Sequence, residues 1–231
     1  MSAFPLNRTH PPRRILYRDA ERSFVLRPWG MDDVPSLLSA VEASRPELRE
    51  FMPWAHLPLT LEVEFDVVRN FIADYWAGRQ YVFGLFDTQG ALLGGLGLHP
   101  RTALNPKALE VGYWCHSAHA RKGWTTLAVR ALTVLCFDWF DCDRLQVMHD
   151  ETNLASRRVI EKCGFHYEGT LTNAVAAVSV EARAAGYRGC PRQRLYALVP
   201  EQVSALEWLP RARQNLVFED AFGAECQRAA K

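Results

Sequence analysis

Residues 109–140 read LEVGYWCHSAHARKGWTTLAVRALTVLCFDWF, and residues 145–169 read LQVMHDETNLASRRVIEKCGFHYEG. This stretch decides the fold. Leu109, Val111, Tyr113 and Cys115 alternate onto one face of a strand, with Glu110, Gly112 and Trp114 on the other. A polar turn, His116 to Gly123, follows. A helix then runs to about Phe140, its apolar stripe made by Leu127, Ala128, Ala131, Leu132, Leu135 and Trp139. The turn delivers Arg121, Lys122 and Gly123 to the helix N-terminus, where unpaired N–H groups and the positive dipole end favour an anion. A glycine there admits close backbone approach to a diphosphate. The spacing matches neither a Walker P-loop nor a GxGxxG fingerprint.

After a strand at Leu145 to Met148, Asn153 is placed to cap a helix that turns Ala155, Val159, Ile160 and Cys163 inward. Gly164 stops that helix and Phe165 leads into another strand. The GYW strand, the RKGW turn and the run N-x-x-S-R-R-V-I-E-K-C-G-F-x-x-E-G together resemble the GNAT superfamily of N-acetyltransferases. The nearest likeness is to its RimJ/RimL-like branch, which acetylates ribosomal-protein N-termini. The similarity extends roughly from Ile15 to Leu198. It implies an α/β (α+β) fold, a mostly antiparallel mixed sheet flanked by helices with a splayed central strand pair. It also departs in places. Only the central glycine of the Ala120–Thr125 turn fits well, Leu127 stands where the branch often has glutamate, and no tyrosine lies near Ile160.

The resemblance implies direct acetyl transfer from acetyl-CoA to an amine, with no metal. The diphosphate would lie on Arg121, Lys122, Gly123, Trp124, Thr125 and Thr126. The amide arm would run along the backbone of Trp114, Cys115 and His116, as an added strand does. Asn153 would contact the arm as well as cap its helix. Ser156 would stand near the emerging sulfur and donate to the leaving thiolate. Arg158, with Arg157, would be within reach of phosphates, although a solvated helix-end charge explains either arginine equally well.

The accepting amine must be neutral to attack. Glu110, a carboxylate within an apolar strand, is the first candidate base; a salt-bridged strand residue is the plain alternative. His149 and Asp150, at the end of the next strand, are the runners-up. The proline-broken cluster Pro46 to Pro58 resembles the family's acceptor side and makes Trp54 a candidate pocket wall beside Phe51 and Met52, for which core packing is the alternative. Cys115 alternates with apolar neighbours and reads as core, so no covalent step is expected.

The remaining sequence sets bounds. The chain has 231 residues and a formal net charge of +1. That suits one domain and no extended nucleic-acid surface. No segment is apolar and long enough to span a bilayer, and the N-terminus lacks the apolar core of a signal peptide. The six cysteines form no CxxC pair, so reduced thiols in a cytoplasmic protein are expected, as monomer or homodimer. The expected organisation is a flexible segment over residues 1–13, a catalytic domain over 14–200, and a C-terminal helix and tail over 201–231. Within the domain, Ile15–Tyr17 and Ser23–Leu26 read as short strands. Asp32 and Thr60 read as helix caps. Leu61, Phe65, Val68, Ile72 and Trp76 read as the inward stripe of the second helix, and Tyr81–Phe86 with Ala91–Leu98 as a hairpin. A non-catalytic acyl-CoA-binding protein on the same fold is the rival reading.

Overall fold

The structure is a computed structural model that describes residues 10–100, 105–175 and 178–226. The expected loose segment over residues 1–13 lies mostly outside the described residues, as do part of the Arg101–Lys107 loop and the end of the tail. Ten strands form one sheet: β1 (Arg14–Arg18), β2 (Ser23–Pro28), β3 (Tyr81–Asp87), β4 (Leu92–Pro100), β5 (Ala108–Cys115), β6 (Arg144–Asp150), β7 (His166–Thr172), β8 (Arg192–Leu198), β9 (Leu216–Glu219) and β10 (Glu225–Cys226). Their order is β10-β9-β1-β2-β3-β4-β5-β6-β8-β7. Each neighbouring pair is antiparallel except β5 and β6. The helices are α1 (Val34–Ala43), α2 (Arg45–Arg49), α3 (Leu61–Trp76), α4 (Trp124–Val134), α5 (Leu154–Cys163), α6 (Val180–Ala184), α7 (Pro200–Ser204) and α8 (Leu209–Asn215).

The alternation read in β5 sorts the sheet into two faces. Leu109 and Val111 join Leu96, Leu98, Leu145 and Val147 in the main core, packed by Ala128, Leu132 and Leu135 of the α4 segment and Ile160 of α5. Trp114 points the other way, onto a smaller cluster built from Trp29, Val34, Leu37, Val41 and Val68. All six residues of the predicted α4 stripe are buried. The helix itself is not uniform: past Val134 it widens to a π-turn over Leu135–Trp139.

Four expectations change. Asp32 caps nothing; Met31–Asp33 is a short 3-10 turn, and Asp33 instead takes both guanidinium nitrogens of Arg27 at 2.7 Å. On α3 the cap at Thr60 is present, its hydroxyl accepting from Val63 N–H at 3.3 Å, but the helix is rotated. Leu61, Phe65 and Trp76 are exposed; of the expected stripe Val68 is buried as read, and Glu64 and Tyr75 are buried beside it. Both sets satisfy helical spacing, and the choice is made by Tyr75, which stacks edge-on to Phe83 and donates its hydroxyl to the Pro12 carbonyl. On α5, Ala155 is exposed rather than inward. The C-terminal residues are not only helix and tail. Leu216 begins a strand that pairs with β1, and Arg13 pairs with Glu219. That pairing covers an edge the sheet would otherwise leave open.

Candidate active site

β5 and β6 share only three rungs: Ala108 with Arg144, Leu109 with Leu145, and Glu110 with Gln146. Beyond them β5 continues to Cys115 against β4, and β6 continues to Asp150 against β8. The two strands therefore part at Val111 and Val147. Their facing backbone groups have no ladder partner on each other, and such groups need one or water. A cavity of about 640 Å³ opens onto this split. Its lining runs from Glu64 and Phe71 on α3, past Trp29, Trp54 and Trp114, to His149 and Ser156.

The glycines of β4 make room for that wall. A Cβ on Gly95 would meet the Trp114 indole nitrogen at 2.6 Å, and one on Gly97 the His99 ring at 2.4 Å. His99 Nδ1 lies 2.9 Å from Gln80 Oε1. Because that oxygen only accepts, Nδ1 carries the proton there. The segment after β7, unreadable from sequence, supplies Val175 and Tyr187 to the cavity lining. It is tied across to the α2 region by Arg188 N–H on the Glu50 carbonyl at 2.9 Å and by His56 edge-on to Tyr187.

Four titratable groups deserve separate description. Glu110 sits on the last rung of the split, is 7% exposed, and accepts from Gln146 Nε2 at 2.9 Å. Its carboxylate is not part of the cavity wall. His149, the runner-up base expected at a strand end, is the penultimate residue of β6 and 4% exposed. Neither of its ring nitrogens has a hydrogen-bond partner of normal geometry among the described residues. Burial pushes its pKa down, reinforced by the Arg194 and Arg157 charges and opposed by Asp150. Tyr113 places its hydroxyl 2.9 Å from Ser156 Oγ, and burial pushes its phenol well above the ordinary tyrosine value. Glu64 is 9% exposed, and burial alone pushes its carboxyl up.

Beyond the end of β5, the turn leading into α4 carries an unusual backbone. Arg121 and Gly123 both adopt left-handed φ, 62° and 85°. Alternation of such residues gathers successive N–H groups into a concave nest. Gly123 is the N-cap of α4 and brings no side-chain cap, in contrast to Thr60 on α3 and Asn153 on α5. The first N–H groups of α4 thus stay available to a ligand. Arg22, from the β1–β2 turn, lies over this point; its Nη1 would be 2.9 Å from a Cβ on Gly123. Lys122 curls back to the Ala118 carbonyl at 3.0 Å.

The residues from Ser23 to His166 match the family model for the acetyltransferase (GNAT) domain, more than half of the chain. This chain belongs to the GNAT acetyltransferase family. It is 34% identical over 92 residues to the Probable N-acetyltransferase YjcK of Bacillus subtilis, a match covering 39% of this chain and 51% of that one. The chain spans about half the length of the curated relatives it matches, 51%, 45% and 48%. Among solved structures it is similar to Mycobacterium smegmatis RimJ in complex with CoA-disulfide, with a TM-score of 0.71 and 21% identity over 84% of this chain and 91% of that one. A RimL ribosomal alpha-N-protein acetyltransferase in complex with coenzyme A gives a TM-score of 0.69 at 20% identity, over 80% and 97% of the two chains. These likenesses fit the mixed sheet flanked by helices in this GNAT chain.

Within that fold the residues singled out from sequence divide into groups. Trp54, Trp114, His149, Asn153 and Ser156 line one cavity. Asn153 Oδ1 accepts from Ser156 N–H at 3.0 Å, so the cap also holds Ser156 in place. Arg121, Lys122 and Gly123 gather at the α4 turn, whereas Trp124 packs on the core. Cys115, its thiol raised by burial, contacts the Leu93 and His116 carbonyls, and the His116 ring accepts from Ala118 N–H. Arg157 is held by Glu161 at 2.7 Å and Arg158 is exposed. Sequence reading missed Tyr113, Glu64, His99 and Tyr187. Tyr113 was legible only as a core position, because its hydroxyl finds Ser156 across 43 residues.

Proposed function

We propose that this GNAT chain transfers an acetyl group from acetyl-CoA directly to an amine, a protein N-terminus or a small molecule. The observation that carries the reading is the three-rung β5–β6 pairing that opens onto the cavity. The residues present suit the cosubstrate. The bare N-cap at Gly123 and the nest around it suit a diphosphate, with Arg22, Arg121 and Lys122 supplying charge. The unpaired backbone edge of β5 suits an amide arm. Acetyl-CoA, when bound, supplies the acetyl group as a thioester whose carbon–sulfur bond breaks as the amine nitrogen bonds to the carbonyl carbon.

The chain's own groups then handle one proton and one developing charge. His149 is kept neutral by burial and faces the cavity, so it is suited to take the proton the amine loses. We assign that role to His149 in preference to Glu110, whose carboxylate is engaged by Gln146 on the last rung. Ser156 and Tyr113 are suited to donate hydrogen bonds to the leaving thiolate. A phenol raised by burial above its ordinary value of about 10 is too weak an acid to protonate outright a thiolate whose thiol has a pKa of about 8.5. Its contribution is therefore a hydrogen bond rather than a proton. Replacing Ser156 by Ala should lower kcat roughly tenfold, the loss of one charge-assisted hydrogen bond, with acetyl-CoA affinity little changed. Stopped-flow thiol release measures it.

Trp54 is 41% exposed and sits on the cavity wall. Trp54→Ala is expected to raise the acceptor KM several-fold with a small change in melting temperature. A large loss of stability with normal kinetics would place Trp54 in the core instead. The reading as a whole is tested by thiol release over a panel of N-terminal peptides, aminoacyl nucleotides and simple amines. Tight acetyl-CoA binding without release on any acceptor would favour the rival, a non-catalytic acyl-CoA-binding protein.

A further inference from the structure

Three charged side chains are brought to the cavity wall as carboxylates or guanidinium: Glu64, Asp150 and Arg45. Two of them are already satisfied. Arg45 donates to the Ala55 and Leu57 carbonyls at 3.2 and 2.9 Å. Asp150 accepts from Thr152 N–H and Oγ at 2.9 and 2.6 Å, and from Cys190 N–H at 2.5 Å. Glu64 is different. It is more than nine-tenths buried; its backbone N–H bonds the Thr60 carbonyl, but no hydrogen bond or ion pair engages its carboxylate among the described residues. A buried carboxylate is normally paired, because losing water without a replacement partner is costly. Glu64 sits in the same wall as Trp29, Trp54, Phe71 and Trp114. Aromatic faces attract an organic cation and repel an anion.

We propose that the acceptor is a small dicationic amine, with Glu64 holding the charged end inside this aromatic wall while the other amine reaches the thioester. The inference deepens the acetyl-transfer reading and rests on it. One continuous cavity joins Glu64 to Ser156, so a single flexible ligand can touch both ends. A neutral acceptor would leave the carboxylate buried and unpaired. An anionic acceptor would be opposed by Glu64 and, among the described residues, met by no uncommitted Lys or Arg in the wall, since the Arg45 guanidinium is bound to backbone carbonyls.

The test uses the full chain and two probes of matched length, 1,5-diaminopentane and pentylamine, on the wild type and Glu64→Gln. The variant keeps size and removes the charge, and since it also removes an unpaired buried carboxylate its melting temperature should equal or exceed that of the wild type. Expected is a wild-type preference for the diamine, and a loss of roughly tenfold or more in its kcat/KM in Glu64→Gln, carried mainly by KM. Pentylamine should change less than about twofold, within the range of a site that has lost no contact. Calorimetry of 1,5-diaminopentane with the CoA-saturated protein gives a readout independent of turnover. Glu64-dependent diamine binding without turnover of any probe would leave Glu64 as a cation-binding group and overturn both acetyl transfer and the acceptor role built on it. Transfer to pentylamine with no Glu64-dependent diamine binding would sink the inference and leave acetyl transfer standing. An equal effect of Glu64→Gln on both probes would also overturn it, by showing a general role in the fold.

Discussion

His149→Gln should lower kcat by roughly 10²- to 10⁴-fold, the range of a lost general base, while acetyl-CoA affinity is kept. The argument starts from placement: His149 is on β6 beyond the point where the strands part, buried, with both ring nitrogens facing no partner of normal geometry. Burial disfavours the imidazolium, so the neutral, proton-accepting form prevails down to below the usual value of 6.5. The rate should therefore fall on the acidic side only below that value, and this limb should vanish in His149→Gln. Linkage has the same sign. The folded pKa lies below the unfolded one, so stability from this site is full above about 6.5 and is lost as pH falls, because the unfolded chain binds the proton more readily. Glu110→Gln is the control: it should keep the acidic limb. If His149→Gln retains nearly full kcat and the same limb while Glu110→Gln loses both, the base is Glu110.

Valine at position 123 should cut acetyl-CoA affinity by roughly 100-fold or more. Two costs combine. Gly123 has φ of 85°, a conformation that a β-branched side chain adopts only at about 1–3 kcal/mol. Its Cβ would also meet Arg22 Nη1 at 2.9 Å, displacing the one cation that reaches the α4 turn from the β1–β2 hairpin. The nest of N–H groups would be reshaped as well as covered. Isothermal calorimetry with acetyl-CoA checks the effect. Arg22→Gln separates the causes, since it should weaken binding by a smaller factor and leave the backbone alone. Unchanged affinity in Gly123→Val would remove the diphosphate from this helix end.

Local signals carried much of the fold. The period-two pattern of Leu109 to Cys115, the glycine start of α4 at Gly123, the glycine stop of α5 at Gly164, and the caps at Thr60 and Asn153 depend on neighbours within a few residues, so they survive without tertiary context. The RKGW turn and the NxxSRR run likewise marked the α4 turn and the Ser156 corner. What sequence could not decide was choice among equivalent patterns. The α3 spacing permits Leu61, Phe65 and Trp76 or Glu64, Val68 and Tyr75 as the inner face. Packing of Tyr75 against Phe83 selects the second, and that rotation puts Glu64 into the cavity. His149 read only as a runner-up to Glu110, because its burial comes from elements distant in sequence, Tyr196 among them. Tyr113 and Ser156 met only when β5 and α5 were brought together. Patterns within one turn or one strand are set by backbone geometry and solvent, and these the sequence determined. Which carboxylate, imidazole or hydroxyl faces a shared cavity depends on the relative rotation of packed elements, and only the tertiary structure decided that.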